Sequence, residues 1–327
     1  MHDKPRVLLT RALPAPGMML LMDNFEMEIN PNDDVMPRAR LMESVVDKEG
    51  LACLLTDNID SGIIKNAPHL RIIANYAVGF NNIDLSEARR RKIPVTNTPD
   101  VLTETTADLT VGLMLSIARR IVEGDRYVRS GGFTGWAPEL LLGSDFHGKK
   151  LGIIGMGRIG RAVARRAHGF DMILLYYDAR RLPLDVENEV GAEYRELKEL
   201  LTESDYVSIH APLNEYTQHL ISVPELKIMK KTAYLINAAR GPIVDEEALV
   251  TALKNRDIAG CALDVYENEP AVTPDLIKMP NAVLVPHLGS ASVETRTKMA
   301  LMVAHNLIAV LIDKKHPPNV VNPEIYT

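Results

Sequence analysis

The chain has 327 residues, 46% of them hydrophobic and 24% charged, with a formal net charge of -6 and two cysteines. At about 150 residues per domain this length predicts two domains with room for buried cores, and the composition excludes disorder and fibrous repeats. The acidic balance gives no general attraction to nucleic acid or to anionic membrane, which leaves a small-molecule enzyme as the expectation.

Cys53 and Cys261 both sit in apolar, strand-like runs, so they read as reduced core thiols, with no disulfide framework and no metal site. No apolar stretch approaches the roughly 18 residues of a membrane span, and the opening MHDKPRVLLT lacks the apolar block of a signal peptide. A cytoplasmic protein is expected.

Along the first hundred residues, strand-like runs at Arg6–Thr10, Glu26–Ile29, Leu51–Thr56, Arg71–Asn75 and Ile93–Thr96 alternate with amphipathic stretches such as Met36–Asp47 and Leu85–Arg91. That alternation predicts a parallel sheet flanked by helices. The basic run Arg89–Lys92 closes one of those helices, where cations complement the dipole, so it reads as a helix end and not as a nucleic-acid patch.

A long helix is predicted after Pro99, with Thr103 as N-cap and Leu109, Leu113 and Ile117 at helical spacing; its apolar length suggests burial between domains. Trp136, the single tryptophan, follows in a Gly-flanked loop and reads most simply as a packing residue. The pattern restarts near Lys149 as a second sheet. Ser292–Asp313 is again helical in period and is stopped by Pro317 and Pro318.

At the head of that second sheet, Lys150–Ile154 reads as a strand, Gly155, Gly157 and Gly160 form G-x-G-x-x-G, and a helical segment follows. Dinucleotide binding needs this order. One glycine makes the tight turn, one lets the backbone approach a pyrophosphate, one allows close helix packing, and the helix amides face the anion. A second strand, Ile173–Tyr177, ends in Asp178, 18 residues past Gly160, near the position of a carboxylate that holds the ribose 2′-hydroxyl. Asp178 favours NAD over NADP, whereas Arg180 and Arg181 read either as a phosphate-binding pair that admits NADP or as a solvated loop pair.

The remaining strands, Tyr206–His210, Ala233–Asn237, Gly260–Asp264 and Val283–Val285, place His210, Arg240, Asp264 and His287 at their carboxyl ends, where ligands gather in open α/β sheets. Taken singly, His287 reads as a structural histidine and Glu269 as a loop carboxylate.

Through GMGRIG, HAPLNEYTQHLI, NAARGPIVDEEAL, ALDVYENEP and PHLGSAS the sequence resembles the D-isomer-specific 2-hydroxyacid dehydrogenase family. The likeness extends through NYAVGFNNID and PDVLTETTADL, over nearly the whole chain. It implies Arg240, Glu269 and His287 as the catalytic set, and the backbone of Val78 and Gly79 together with Arg240 as the substrate grip. Beside the three glycines, it implies cofactor contacts at Thr106, Arg158, Ile159, Asp178, His210, Pro212, Thr217, Ala238, Asp264 and Gly289, with Arg180 and Arg181 as the open question and NAD or NADP as the cofactor.

The residue types suit the implied chemistry. Reduction of a 2-oxo acid needs a hydride from nicotinamide, a proton for the developing alkoxide and a fixed cation for the carboxylate or carbonyl. Histidine exchanges protons near neutral pH, a carboxylate on its other ring nitrogen fixes its orientation and favours imidazolium, and guanidinium is the better fork for a carboxylate.

The resemblance further implies an α/β fold of two doubly wound parallel-sheet domains. A Rossmann cofactor domain over 101–287 is inserted into a flavodoxin-like substrate domain formed by 1–100 plus 288–327. The two long helices would act as hinge and interface elements, with closure over the cofactor expelling water. A homodimer through the cofactor domain is implied, in which a residue placed like Trp136 reaches the neighbouring active-site mouth.

Within the family, three features prune the choices: no regulatory domain after the last helix, Glu269 where formate dehydrogenase uses glutamine, and no lysine in YAVGF as in phosphite dehydrogenase. The wording is most similar to glyoxylate and hydroxypyruvate reductases, with 2-ketogluconate reductases as neighbours. The rival from another class is a nucleotide-sensing, corepressor-like binding protein on the same fold.

Overall fold

The computed structural model describes residues 4–327, so the first three residues of the opening stretch lie outside the described residues. The chain divides into two compact units. The first runs to Leu102 and resumes over Ala291–Thr327; the second is Thr103–Ser290.

Five parallel strands build the first unit: β1 (Arg6–Leu9), β2 (Glu26–Ile29), β3 (Gly50–Leu54), β4 (Ile72–Tyr76) and β5 (Val95–Thr96), in the order β2-β1-β3-β4-β5. This is the flavodoxin order, with its switch point between β1 and β3. Both faces of the sheet are covered, which is why the central strands are apolar throughout. Leu8, Leu51, Cys53 and Ile73 fill one core, while Val7, Ala52, Ile72 and Ala74 fill the other against Val303 and Leu307 of the helix Val293–Leu311.

That C-terminal helix begins where the sequence places it: the Ser292 hydroxyl accepts the Thr295 amide as N-cap. Its partner, Ala15–Asn24, escapes a periodicity reading because MMLLM is apolar on every side. Gly17 lets the two helices meet, since a Cβ there would lie 2.5 Å from that of Ala300. The basic run ends the helix Leu85–Arg90 and is spent on the fold: Arg89 pairs with Glu324, Arg90 with Glu87, and Arg91 donates to the carbonyls of Ile64 and Pro68.

Seven parallel strands build the second unit: β6 (Lys150–Ile154), β7 (Ile173–Tyr177), β8 (Ala192–Tyr194), β9 (Tyr206–Ile209), β10 (Tyr234–Asn237), β11 (Gly260–Leu263) and β12 (Ala282–Leu284). Their order is β12-β11-β10-β9-β6-β7-β8, so the winding reverses between β6 and β9. β8, a three-residue edge strand, carries too little pattern for the sequence to reveal it.

Thr103 is the first residue of the helix Thr103–Ala118 and not its N-cap. This helix buries Ala107, Met114 and Ala118 in the core of the second unit. Its outer turn binds the neighbouring helix Arg158–His168 through Glu104 with Arg165 and Asp108 with Arg166. Trp136 stands 83% exposed in the loop beyond, so within the chain it is not a packing residue.

Cys53 and Cys261 are fully buried and free, and burial pushes both thiols up, Cys261 to about 12. Among the described residues no His, Cys, Asp and Glu group is arranged to hold a metal, and no described helix is long and apolar enough to cross a membrane.

Candidate functional site

Each glycine of the phosphate turn has a separate physical reason. Gly155 adopts φ +94° against the β9 loop, where a Cβ would lie 2.6 Å from the Ala211 amide nitrogen. A Cβ on Gly160 would lie 2.2 Å from the Gly155 carbonyl oxygen, so the helix Arg158–His168 packs onto the turn only without one. Gly157, the N-cap of that helix, faces open space with no atom within 4 Å of where its Cβ would stand. The turn is therefore closed underneath and clear above, at the amide end of a helix and at the switch point of the sheet, as a pyrophosphate requires. Asp178 is held beside it, accepting the Met156 amide at 2.8 Å and the Arg180 amide at 3.4 Å.

Across the switch point His210 follows β9. Its Nε2 is 2.8 Å from the Ser208 hydroxyl, and its buried Nδ1 has no partner among the described residues. Burial pulls its pKa down to about 4, so the ring is neutral and offers one unused polar atom at the strand ends. An orphaned atom here fits a bound dinucleotide.

Arg240 lies in the turn after β10. Asn237 shapes that turn: its amide donates to the Arg240 carbonyl at 2.9 Å and its oxygen accepts the Ala239 amide at 3.0 Å. Gly241 is pressed on the loop after β11, where a Cβ would lie 1.8 Å from the Tyr266 carbonyl oxygen. That loop carries Asp264 and Glu269. Asp264 accepts the Leu288 and Gly289 amides, and its carbonyl accepts the His287 amide at 2.9 Å. His287 is thereby held at φ +52°, an uncommon backbone state for a residue with a side chain.

In this position His287 Nδ1 donates to Glu269 Oε2 at 2.9 Å, while Oε1 of the same carboxylate accepts the Tyr266 amide at 2.9 Å. Burial alone pushes the Glu269 carboxyl up. The bond to His287, its charge, the Tyr266 amide and the Arg240 charge outweigh this and hold Glu269 below its ordinary range. Burial lowers the Arg240 pKa, and the Glu269 charge opposes that fall. Asp264 is raised, chiefly by burial, against the pull of the Leu288 amide and the His287 charge. The second unit thus brings a histidine, an ionised carboxylate and a guanidinium into one electrostatic group at the carboxyl ends of its strands.

The profile of the D-isomer-specific 2-hydroxyacid dehydrogenase NAD-binding domain matches residues 111–289. Over 325 residues the chain is 51% identical to a glyoxylate reductase of Korarchaeum cryptofilum, covering 98% of this chain and 97% of that protein. The chain belongs to the D-isomer-specific 2-hydroxyacid dehydrogenase family. Among solved structures, a protein of Thermus thermophilus superposes with a TM-score of 0.91 at 45% identity, over 97% of this chain and 99% of that one. An NADPH-dependent glyoxylate/hydroxypyruvate reductase of Sinorhizobium meliloti, solved with NADP and malonate, gives 0.84 at 33% identity over 98% and 97%. As a D-2-hydroxyacid dehydrogenase the protein is an oxidoreductase, with NAD or NADP as its cofactor.

Not every expected contact of this dehydrogenase stands clear. Arg181 binds Glu187 at 2.8 and 3.0 Å, and its guanidinium lies 5.4 Å from the centre of the Tyr194 ring. With a hydrogen bond from the Tyr176 hydroxyl as well, Glu187 falls to about 2. Arg180 is exposed, as is Arg181. The Thr217 hydroxyl serves its own loop, donating to the Pro212 carbonyl at 2.6 Å and accepting the Asn214 amide. Thr106 donates to the Gly289 carbonyl at 3.0 Å, which ties two expected contacts together. Ala238 is buried behind the Arg240 turn, and Arg158 and Ile159 open the helix at Gly157.

Val78 and Gly79 belong to the first unit, in the loop after β4. Their carbonyls accept Asn97 Nδ2 and Asn75 Nδ2, each at 2.8 Å. Sequence reasoning passed over Asn237, Tyr266 and Glu187. Only Asn237 carried a signal, as a turn-forming residue directly after a strand.

Proposed function

We propose that the protein reduces a small 2-oxo acid, glyoxylate or hydroxypyruvate, to the D-2-hydroxy acid with NADH or NADPH. The observation that carries this reading is the 2.9 Å pair of His287 Nδ1 and Glu269 Oε2 with the Arg240 charge acting on the same carboxylate. The names of the relatives agree with it.

In this reading Glu269 keeps Nδ1 of His287 protonated and so leaves Nε2 to give a proton to the carbonyl oxygen as it becomes an alkoxide. The Arg240 guanidinium binds the carboxylate and polarises the carbonyl. The backbone of Val78 and Gly79 grips the substrate carboxylate, and the first unit is the substrate domain. The Gly155–Gly160 turn, Asp178, His210 and Asp264 hold the dinucleotide in the second unit. When bound, the reduced nicotinamide supplies the hydride.

The protein is further assigned to the cytoplasm, as a homodimer through the second unit. The exposed apolar side chains of Ile121, Val128, Phe133 and Trp136 in that unit support the pairing.

The test is a matrix of glyoxylate, hydroxypyruvate, pyruvate and 2-ketogluconate against NADH and NADPH, following loss of cofactor absorbance, with sedimentation for the dimer. Glyoxylate and hydroxypyruvate are expected to react fastest. No turnover with any 2-oxo acid, alongside tight dinucleotide binding, overturns the reading in favour of a sensor.

A further inference from the structure

Outside the residues assigned above, His219, Glu246 and Glu267 form a cluster that the proposed reaction does not use. Glu246 is 3% exposed and forms no salt bridge among the described residues; its Oε1 accepts the Glu267 amide at 2.6 Å and its other oxygen accepts the Thr273 hydroxyl. Glu267 returns the bond, its Oε2 accepting the Glu246 amide at 3.2 Å. Its Oε1 accepts His219 Nε2–H at 2.6 Å. The backbone of His219 is fixed as well, its amide donating to the Pro242 carbonyl at 2.8 Å.

These bonds join two loops. Pro242 belongs to the turn that carries Arg240, and Glu267 to the loop that carries Glu269. His219 therefore holds the first with its backbone and the second with its ring. The joint lies at the Tyr266–Glu267 peptide, which Gly241 already abuts with no room for a Cβ. From there the connection to the reacting histidine is short: the Tyr266 amide holds Glu269, Glu269 holds His287, and the Tyr266 hydroxyl donates to the Val285 carbonyl at 2.9 Å, two residues before His287. A shift of the Glu267 peptide moves both Arg240 and Glu269.

The geometry points to His219 and Glu267 as positioning residues for the catalytic group, acting through the Tyr266–Glu267 peptide to set the distance between the Arg240 and Glu269 loops. The inference rests on the proposed reductase reading. It follows from the sensitivity of catalysis to geometry, in which a misplacement of about 1 Å costs up to about 100-fold in rate.

The experiment compares His219→Ala, His219→Gln and Glu267→Gln with wild type, all as full-length protein. It measures kcat and KM for glyoxylate with NADH, NADH affinity by calorimetry, and thermal midpoint. His219→Ala is expected to lower kcat by roughly 10-fold or more with NADH affinity within about twofold of wild type. Glutamine places an N–H donor near the position of Nε2, so His219→Gln is expected to recover most of the loss. Glu267→Gln, which keeps one acceptor of two, falls between. A lowered thermal midpoint with unchanged kcat in all three variants makes the cluster a purely structural brace and overturns the inference. Absence of wild-type turnover in the same assay overturns the reductase reading itself, and the inference with it.

Discussion

His287 presents Nδ1 to Oε2 of Glu269 across 2.9 Å, although the two residues are 18 positions apart and lie in different loops. Two backbone features make the meeting possible: the Tyr266 amide on Oε1 of Glu269 and the left-handed backbone of His287. For the proposed chemistry, removing either partner has a distinct signature. His287→Ala is expected to lower kcat by about two to four orders of magnitude while dinucleotide binding persists. Glu269→Gln leaves a neutral partner that no longer fixes the ring by charge, so kcat is expected to fall by about tenfold or more with dinucleotide affinity retained. Because the Glu269 pKa is depressed in the fold, its ionised form and the stability it brings are complete above the ordinary glutamate range and are lost as pH falls through the lowered value. Steady-state kinetics of the two variants check the activities, acid unfolding of wild type against Glu269→Gln checks the stability, and an unchanged kcat in Glu269→Gln counts against the pairing.

Gly241 is the tightest position of the candidate site. A methyl group there would meet the Tyr266 carbonyl oxygen at 1.8 Å and its carbon at 1.9 Å, both backbone atoms that no rotamer change can move. Gly241→Ala is expected to destabilise the protein by about 3 kcal/mol or more, the upper range for overpacking. Urea unfolding measures the cost directly, and a shift in midpoint equivalent to under about 1 kcal/mol contradicts the close packing of the two loops.

His210 gives the protein a second acid-sensitive element. Its ring titrates near 4 in the fold, against about 6.5 for an unperturbed histidine. The unfolded chain therefore takes up the proton first, and folding stability falls as pH drops from about 6.5 towards 4. Its full contribution is on the order of 3 kcal/mol. His210→Asn removes the titration, so thermal midpoints of the variant are expected to decline less steeply across that interval. Parallel slopes for variant and wild type exclude the assignment.

Asp178 and Arg181 bear on the choice of dinucleotide. Asp178 stays beside the glycine turn through the Met156 amide, whereas Arg181 is engaged by Glu187. With Arg181 engaged, Arg180 is the one exposed guanidinium of that pair left to offset the repulsion between Asp178 and a 2′-phosphate, and NAD is expected to bind more tightly than NADP. Asp178→Ser is expected to narrow the ratio of dissociation constants by about tenfold, equivalent to about 1.4 kcal/mol. Calorimetric titration with both nucleotides checks this, and tighter NADP binding by the wild-type protein refutes it.

Much of this architecture is written in local pattern. β9, β10 and β11 are short apolar runs that end abruptly in polar residues, and sheets covered on both faces leave that signature. Gly155, Gly157 and Gly160 follow their strand so closely that the turn is read from spacing alone. His287 and Glu269 are different. Each looks ordinary in isolation, and only the ordered family motifs single them out before coordinates do. What remained hidden depends on long-range or low-pattern features: the helix Ala15–Asn24 is uniformly apolar, β8 has three residues, and the Arg181–Glu187 pair looks no different in sequence from a solvated loop charge. The exchange of bonds between Glu246 and Glu267 joins segments 21 residues apart and follows no helical or strand period.

The two cysteines fall one to each unit, Cys53 in β3 and Cys261 in β11, and neither has any accessible surface. A thiol reagent added to the native protein therefore finds nothing to modify until a sheet opens. Labelling kinetics followed by peptide mass then time the opening of each sheet separately, so the chain carries its own pair of unfolding clocks without any engineered probe.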